Sequence, residues 1–213
     1  MSVSSFIAKL AGATALVGLS ALAVQAQTSG EPVKIGAIVS VTGAGAGLGV
    51  PERNGLLLAE KDINAKGGIK GRPIKIIVED DASNPDTALS KANDLIFGQK
   101  VQALLGPSLT ASTVAVGGVT HANKIPQIAF TGIGPAVERE RKCVAHVLPP
   151  QRLNAMALLE YAKSIKAAKV GVLHDAGYGN VVMAELKPLA DKYGVKLVAV
   201  EKFEIGATDT TTQ

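Results

Sequence analysis

Glycines at positions 43, 45, 47 and 49 sit between an apolar run and a helical stripe, and they constrain this chain more than any other feature. Before them, residues 35–41 form the kind of short apolar run that a strand buried on both faces requires. After them, Pro51 stands where a helix can begin without losing a hydrogen bond. Leu56, Ala59 and Ile63 keep the helical stripe until Gly67-Gly68 ends it, and a second apolar run at 74–78 leads into Glu79-Asp80-Asp81. Strand, glycine loop, helix and strand make a βαβ unit. In such a sheet, ligands bind beyond the C-terminal strand ends, where helix N-termini present free N–H groups.

A dinucleotide loop is the first chemistry to test against that pattern. The G-x-G-x-x-G spacing fails: counted from Gly43 its sixth position is Leu48, and counted from Gly45 it is Val50. Asp80 also lies far beyond the roughly twenty residues that separate such a loop from a ribose-binding acid. No G-x-x-x-x-G-K-[ST] occurs. The spacing therefore implies no cofactor, and an NAD(P)-dependent oxidoreductase using the Gly43 to Gly49 loop stands as the alternative from another class.

The alternation of elements continues. Ser83-Asn84-Pro85-Asp86 supplies a cap, a first-turn proline and an acid for a helix closed by Gly98. Residues 101–105 read as a third strand and 106–110 as a second loop on the same rim. A helix over 111–123, a fourth strand over 125–130 and a third loop over 131–135 follow. Right-handed crossovers place all three loops together. Residues 144–150 read as a crossing to a second lobe. There, helices over 153–165 and 180–193 alternate with strands over 169–173 and 196–200, and 208–213 reads as the capped start of another helix. The fold class is α/β with parallel sheets.

T-G-A-G-A-G-L-G at 42–49, N-G-L-L-L-A-E-K-D-I-N-A-K-G-G-I-K-G at 54–71, L-L-G-P-S at 104–108, K-I-P-Q-I-A-F-T at 124–131, V-G-V-L-H-D-A-G-Y-G-N at 170–180 and G-A-T-D-T-T-T-Q at 206–213 carry a resemblance. Together they resemble the substrate-binding proteins of branched-chain amino-acid-type ABC transporters, the leucine-binding-protein-like type I periplasmic binding proteins. The resemblance implies two Rossmann-like lobes, the first over 31–145 and the second begun over 146–213 and left incomplete. It implies an exported receptor that holds a small carboxylate-bearing ligand between the lobes and hands it to a membrane ABC permease. The same fold as the ligand-sensing domain of a receptor is a further alternative.

Carried over by position, the resemblance makes Thr110, with Ser108 nearby, and Thr131 the donors to the ligand's carboxylate. Tyr178 closes over the ligand from the second lobe. Phe130 follows a strand where ligands are expected, in a chain with no Trp, 3 Tyr and 4 Phe. Leu48 stands where many relatives have an aromatic residue, and Ile133 where many amino-acid binders have a hydroxyl. The acid that receives an amino acid's ammonium would lie beyond Gln213, so an amino acid and an aromatic or aliphatic acid fit equally. Thr110 also reads as a plain N-cap, and Tyr178 as a loop residue packed on its own lobe.

Residues 1–26 read as a signal peptide. Lys9 precedes an apolar run, Val24 and Ala26 are small residues at a cleavage site, and the run is too short for a span of about twenty residues. A periplasmic location without membrane insertion after cleavage follows. Cys143, the 1 cysteine, reads as a small buried residue, and His121, His146 and His174 lack metal-ligand spacing. A formal charge of +4, with no basic cluster interleaved with aromatics, gives no sign of a nucleic-acid partner. The run 138–142 alternates in sign and reads as a solvated face.

Overall fold

The computed structural model describes residues 29–211, so the proposed signal peptide lies outside the described residues. The first sheet has five parallel strands in the order β2-β1-β3-β4-β5: β1 (Val33–Val39), β2 (Ile74–Asp80), β3 (Ala103–Leu105), β4 (Gln127–Ala129) and β5 (Val144–His146). Its register sets Ile35 against Ile76 on one side and Ala103 on the other. Side chains alternate across β1 and serve two cores. Ala37 and Val39 pack with Leu56 of α1 (Ala46–Ala65), Ile74 and Ile76. Ile38 faces α2 (Pro85–Asn93) and α3 (Thr110–Ala122), beside Ala88, Leu95 and Val116. The order reverses at β1, between β2 and β3, and that reversal opens a crevice at the C-terminal strand ends.

The sequence reading is corrected at several places. Helix α1 starts at Ala46, five residues ahead of Pro51, which lies inside it. Leu48 N–H and Gly49 N–H both donate to Gly45 O, so most of the glycine run is already helical. The segment 144–150 is not all crossing, because Val144, Ala145 and His146 pair with Gln127, Ile128 and Ala129. A fifth strand satisfies the backbone groups that β4 would otherwise leave open on that edge. The charged run belongs in part to α4 (Pro135–Glu140): Arg139, Glu140 and Lys142 are exposed as a solvated face would be, while Glu138 pairs with His146 Nε2 at 2.7 Å and Arg141 donates to Val114 O. Cys143 is half-buried rather than buried, since it precedes the edge strand, where its carbonyl receives Gln127 N–H.

The second sheet pairs β6 (Lys169–Asp175) with β7 (Lys196–Phe203) in parallel. Strand β7 runs three residues past the expected end. Helix α6 (Tyr178–Ala190) begins two residues early, and α5 (Gln151–Ser164) packs on it through Ala155, Leu159, Met183 and Leu186. Near the end, Thr211 N–H and hydroxyl donate to Asp209 Oδ1, a capping contact without a helical turn through Thr211. No helix among the described residues is long and apolar enough to cross a membrane.

A candidate ligand cleft between the two sheets

The loops that leave β1, β3, β4, β6 and β7 converge on one cavity of about 500 Å³, within the range of small-molecule sites. Leu48, Ser108, Thr110, Phe130, Thr131 and Tyr178 all line it. Ile133 does not. It is 4% exposed and lines a neighbouring depression with Pro135, Arg139 and Asn180, because the chain turns away from the cavity at Gly132 into α4. The sequence reading missed Glu52, Leu148, Asp175, Phe203 and Ile205, which also line the cavity. Glu52 carried a signal: it lies four residues after Leu48, hence on the same helical face. Phe203 and Ile205 became visible only with the true length of β7.

Thr110 is not the N-cap of α3. Leu109 holds that position without a side-chain bond, and Thr110 is the first helical residue. Its hydroxyl reaches Thr131 Oγ1 at 3.2 Å and donates to Gly132 O at 3.2 Å, which joins the loops after β3 and β4. The first-turn N–H groups of such a helix have no intrahelical partners and suit an anion, and the two hydroxyls add donors to it on turning from their bonds to each other and to Gly132 O. Across the cavity Tyr178 opens α6, and its hydroxyl accepts from Asn154 Nδ2 at 2.7 Å. Asp175 Oδ1 accepts from Gly177 N–H at 2.7 Å and Oδ2 from Gly179 N–H at 3.0 Å, which fixes the turn that presents the tyrosine.

Within the wall, Ser108 Oγ–H donates to Glu52 Oε2, and from behind it Ser40 N–H donates to Ser108 Oγ at 3.0 Å. Ser40 Oγ–H donates to the fully buried Asp81 at 2.7 Å. Burial pushes the Glu52 carboxyl above its ordinary value of 4.5; the Ser108 bond works against the rise and the Asp81 charge adds to it. The adjacent Asp80 is held below its ordinary value: burial opposes this and is outweighed by the Thr42 hydroxyl and the amides of Ala82, Thr42 and Val41. Asp80, which ends β2, and Asp81, which follows it, are therefore both committed to the segment after β1. Gly43 of that loop and Gly49 of α1 are committed to packing: a Cβ on Gly43 would meet Ala82 O at 2.7 Å, and one on Gly49 would meet Ser40 O at 2.1 Å.

Raised in the folded state, the Glu52 pKa makes its ionisation a cost that grows as pH climbs above the unfolded value of 4.5. Glu52→Gln keeps an acceptor for Ser108 and removes the charge. It is expected to raise the apo melting temperature at pH 7 by no more than ~2 °C, given partial solvent screening. The gain should vanish by pH 4, where both side chains are neutral. Thermal melts across pH check this, and a destabilised variant at pH 7 would refute it.

Comparison with known proteins gives the following. A sequence model of a family described as periplasmic binding protein matches residues 32–213. An amino acid binding protein of Pseudomonas aeruginosa is 32% identical over 180 residues, covering 83% of this chain and 48% of that protein. Among solved structures, the substrate-binding protein of a branched-chain amino acid transporter from Streptococcus pneumoniae, in complex with isoleucine, superimposes with a TM-score of 0.75 at 25% identity. It covers 85% of this chain and 52% of its own. A solute-binding protein of an ABC transporter from Rhodopseudomonas palustris, in complex with 3,4-dihydroxybenzoic acid, gives 0.73 at 25% identity, with 81% and 47% covered. The chain spans about half the length of the curated relatives it matches.

Proposed function

The chain belongs to the type I periplasmic binding proteins of the leucine/isoleucine/valine-binding family, and from that premise we propose that it works as a solute receptor for an ABC importer. In this reading it captures a small carboxylate in the cleft, and the two lobes close on it by hinge motion before delivery to a membrane permease. Thr110, Thr131 and the first turn of α3 hold the carboxylate. Tyr178 covers it, Phe130 and Leu48 supply apolar wall, and Ser108 positions Glu52. The leader-like residues 1–26 suit work outside the cytoplasm. The lobes proposed are 31–145 and 146–213.

One observation carries the proposal. Neutral donors from the β3 and β4 loops share a cavity with an aromatic residue at the head of α6, on the far side. Hydroxyls and N–H groups bind a carboxylate without burying an unpaired cation. The ligands named for the two solved relatives, an aliphatic amino acid and a hydroxylated benzoic acid, support a small organic acid as the ligand in this reading.

A thermal-shift panel tests the reading. Aliphatic amino acids, aliphatic acids and benzoic acids are screened beside NAD and NADP. At least one carboxylate is expected to raise the melting temperature, with the nucleotides inert. Stabilisation by a nucleotide alone would sink the receptor reading in favour of the oxidoreductase.

A further inference from the structure

We propose that Glu52 selects for ligands that carry a hydrogen-bond donor, an ammonium or a hydroxyl, in addition to their acidic group. The inference deepens the receptor reading and rests on it. It begins with Ser108, whose hydroxyl accepts from Ser40 N–H and so has a single proton left, which goes to Glu52 Oε2. Ser108 is 2% exposed, and Ser40 ends up fully buried, so neither is free to turn away. Glu52 is thereby fixed on the cavity wall as an acceptor. A carboxylate offers about four lone-pair sites, and Ser108 occupies one of them.

Asp175 is the other carboxylate of the wall, and both its oxygens are taken by backbone N–H groups. No Lys, Arg or His lines the cavity among the described residues. Nothing on the wall neutralises Glu52, and the Asp81 charge lies behind it. A half-buried carboxylate without a counter-charge is costly to keep, and a ligand donor placed there relieves that cost. An acid without such a donor would leave Glu52 unpaired beside the ligand's own negative charge. Discrimination of this kind, where a buried polar group is left unsatisfied, is the strong kind. Glu52 also lies in the first lobe, on α1, which makes it a separate contact from any ammonium-receiving acid farther along in longer relatives.

Two pairs of probes test this by calorimetry on the full chain: L-leucine against 4-methylpentanoate, and 3,4-dihydroxybenzoate against benzoate. Within each pair the donor is removed and the carbon framework kept. Wild-type protein is expected to prefer the donor-bearing member of at least one pair by about tenfold or more. Glu52→Gln, which turns an N–H donor toward the cavity, is expected to abolish that preference, and Glu52→Asp, which retracts the charge, to reduce it. If the Gln variant does not fold, the Asp variant decides. Equal affinities within both pairs in the wild type would overturn the inference and leave the receptor reading standing. So would a preference that survives in the variants. Binding of no probe at all would overturn the receptor reading, and the inference with it.

Discussion

Tyr178→Ala is expected to weaken binding of whichever carboxylate the panel returns by about thirtyfold or more, the roughly 2 kcal/mol typical of a buried aromatic anchor. The ring stands at the first residue of α6, on the opposite side of the cavity from Thr110 and Thr131. Its hydroxyl is already engaged by Asn154, so the ring is held in place before any ligand arrives. Preorganisation of this kind lowers the entropy lost on binding. Tyr178→Phe separates ring from hydroxyl: it loses the Asn154 bond, worth about 1 kcal/mol net, and keeps the covering face. Its affinity should fall by a few-fold at most. A tyrosine that merely braces α5 against α6 would behave differently. Both variants would then lower the apo melting temperature and leave the affinity near the wild-type value. Calorimetry and an apo melt on the same two proteins distinguish these outcomes.

The parts of this molecule that were legible in its sequence are those where a local rule decides the answer. Asn84 caps α2, accepting from Asp86 N–H and Thr87 N–H, with Pro85 as first helical residue. Apolar runs at 35–41 and 74–78 became neighbouring strands because only a sheet covered on both faces buries them. What escaped is what depends on partners distant in sequence. Strand β5 is three residues long and is defined by the open edge of β4, not by any pattern of its own. Glu138 and Arg141 belong to a run that alternates in sign as a solvent face would, yet His146 and the Val114 carbonyl draw both inward.

The candidate site divides the same way. Thr110, Thr131 and Tyr178, taken by position from the family resemblance, line one cavity because each follows a strand at the same rim. Ile133, taken from the same resemblance as the place where many amino-acid binders have a hydroxyl, falls outside the cavity, since the chain turns away at Gly132. Glu52 was passed over because α1 was given the wrong start. With a helix from Pro51, nothing places its second residue near Ser108. With a helix from Ala46, Leu48 and Glu52 share the face that looks onto the cavity.

That corrected start makes the largest stability effect predictable. Gly49→Ala is expected to cost about 3–5 kcal/mol, enough to leave little folded protein. The reason is what a Cβ at this position would meet: Ser40 O at 2.1 Å, Ser40 C at 2.3 Å and Ser40 N at 2.7 Å. These are backbone atoms just beyond β1, the strand held on both sides by β2 and β3, so they cannot swing aside as a side chain would. Relief requires α1 to lift from the sheet, which uncovers Ala37, Val39 and Leu56. Gly45, four residues earlier, faces the same way, with its Cβ position 2.8 Å from Ser40 Cβ. Gly47 lies on the opposite side, with nothing within 4 Å. Gly47→Ala should therefore be neutral or stabilising, by up to the roughly 1 kcal/mol by which alanine exceeds glycine in a helix. Urea denaturation of the two variants reads both values. Equal losses at 47 and 49 would mean that the glycines serve a loop which needs all of them, as a phosphate-binding turn does. A loss at 49 alone means that their spacing of four marks the face by which a helix lies flat against a strand.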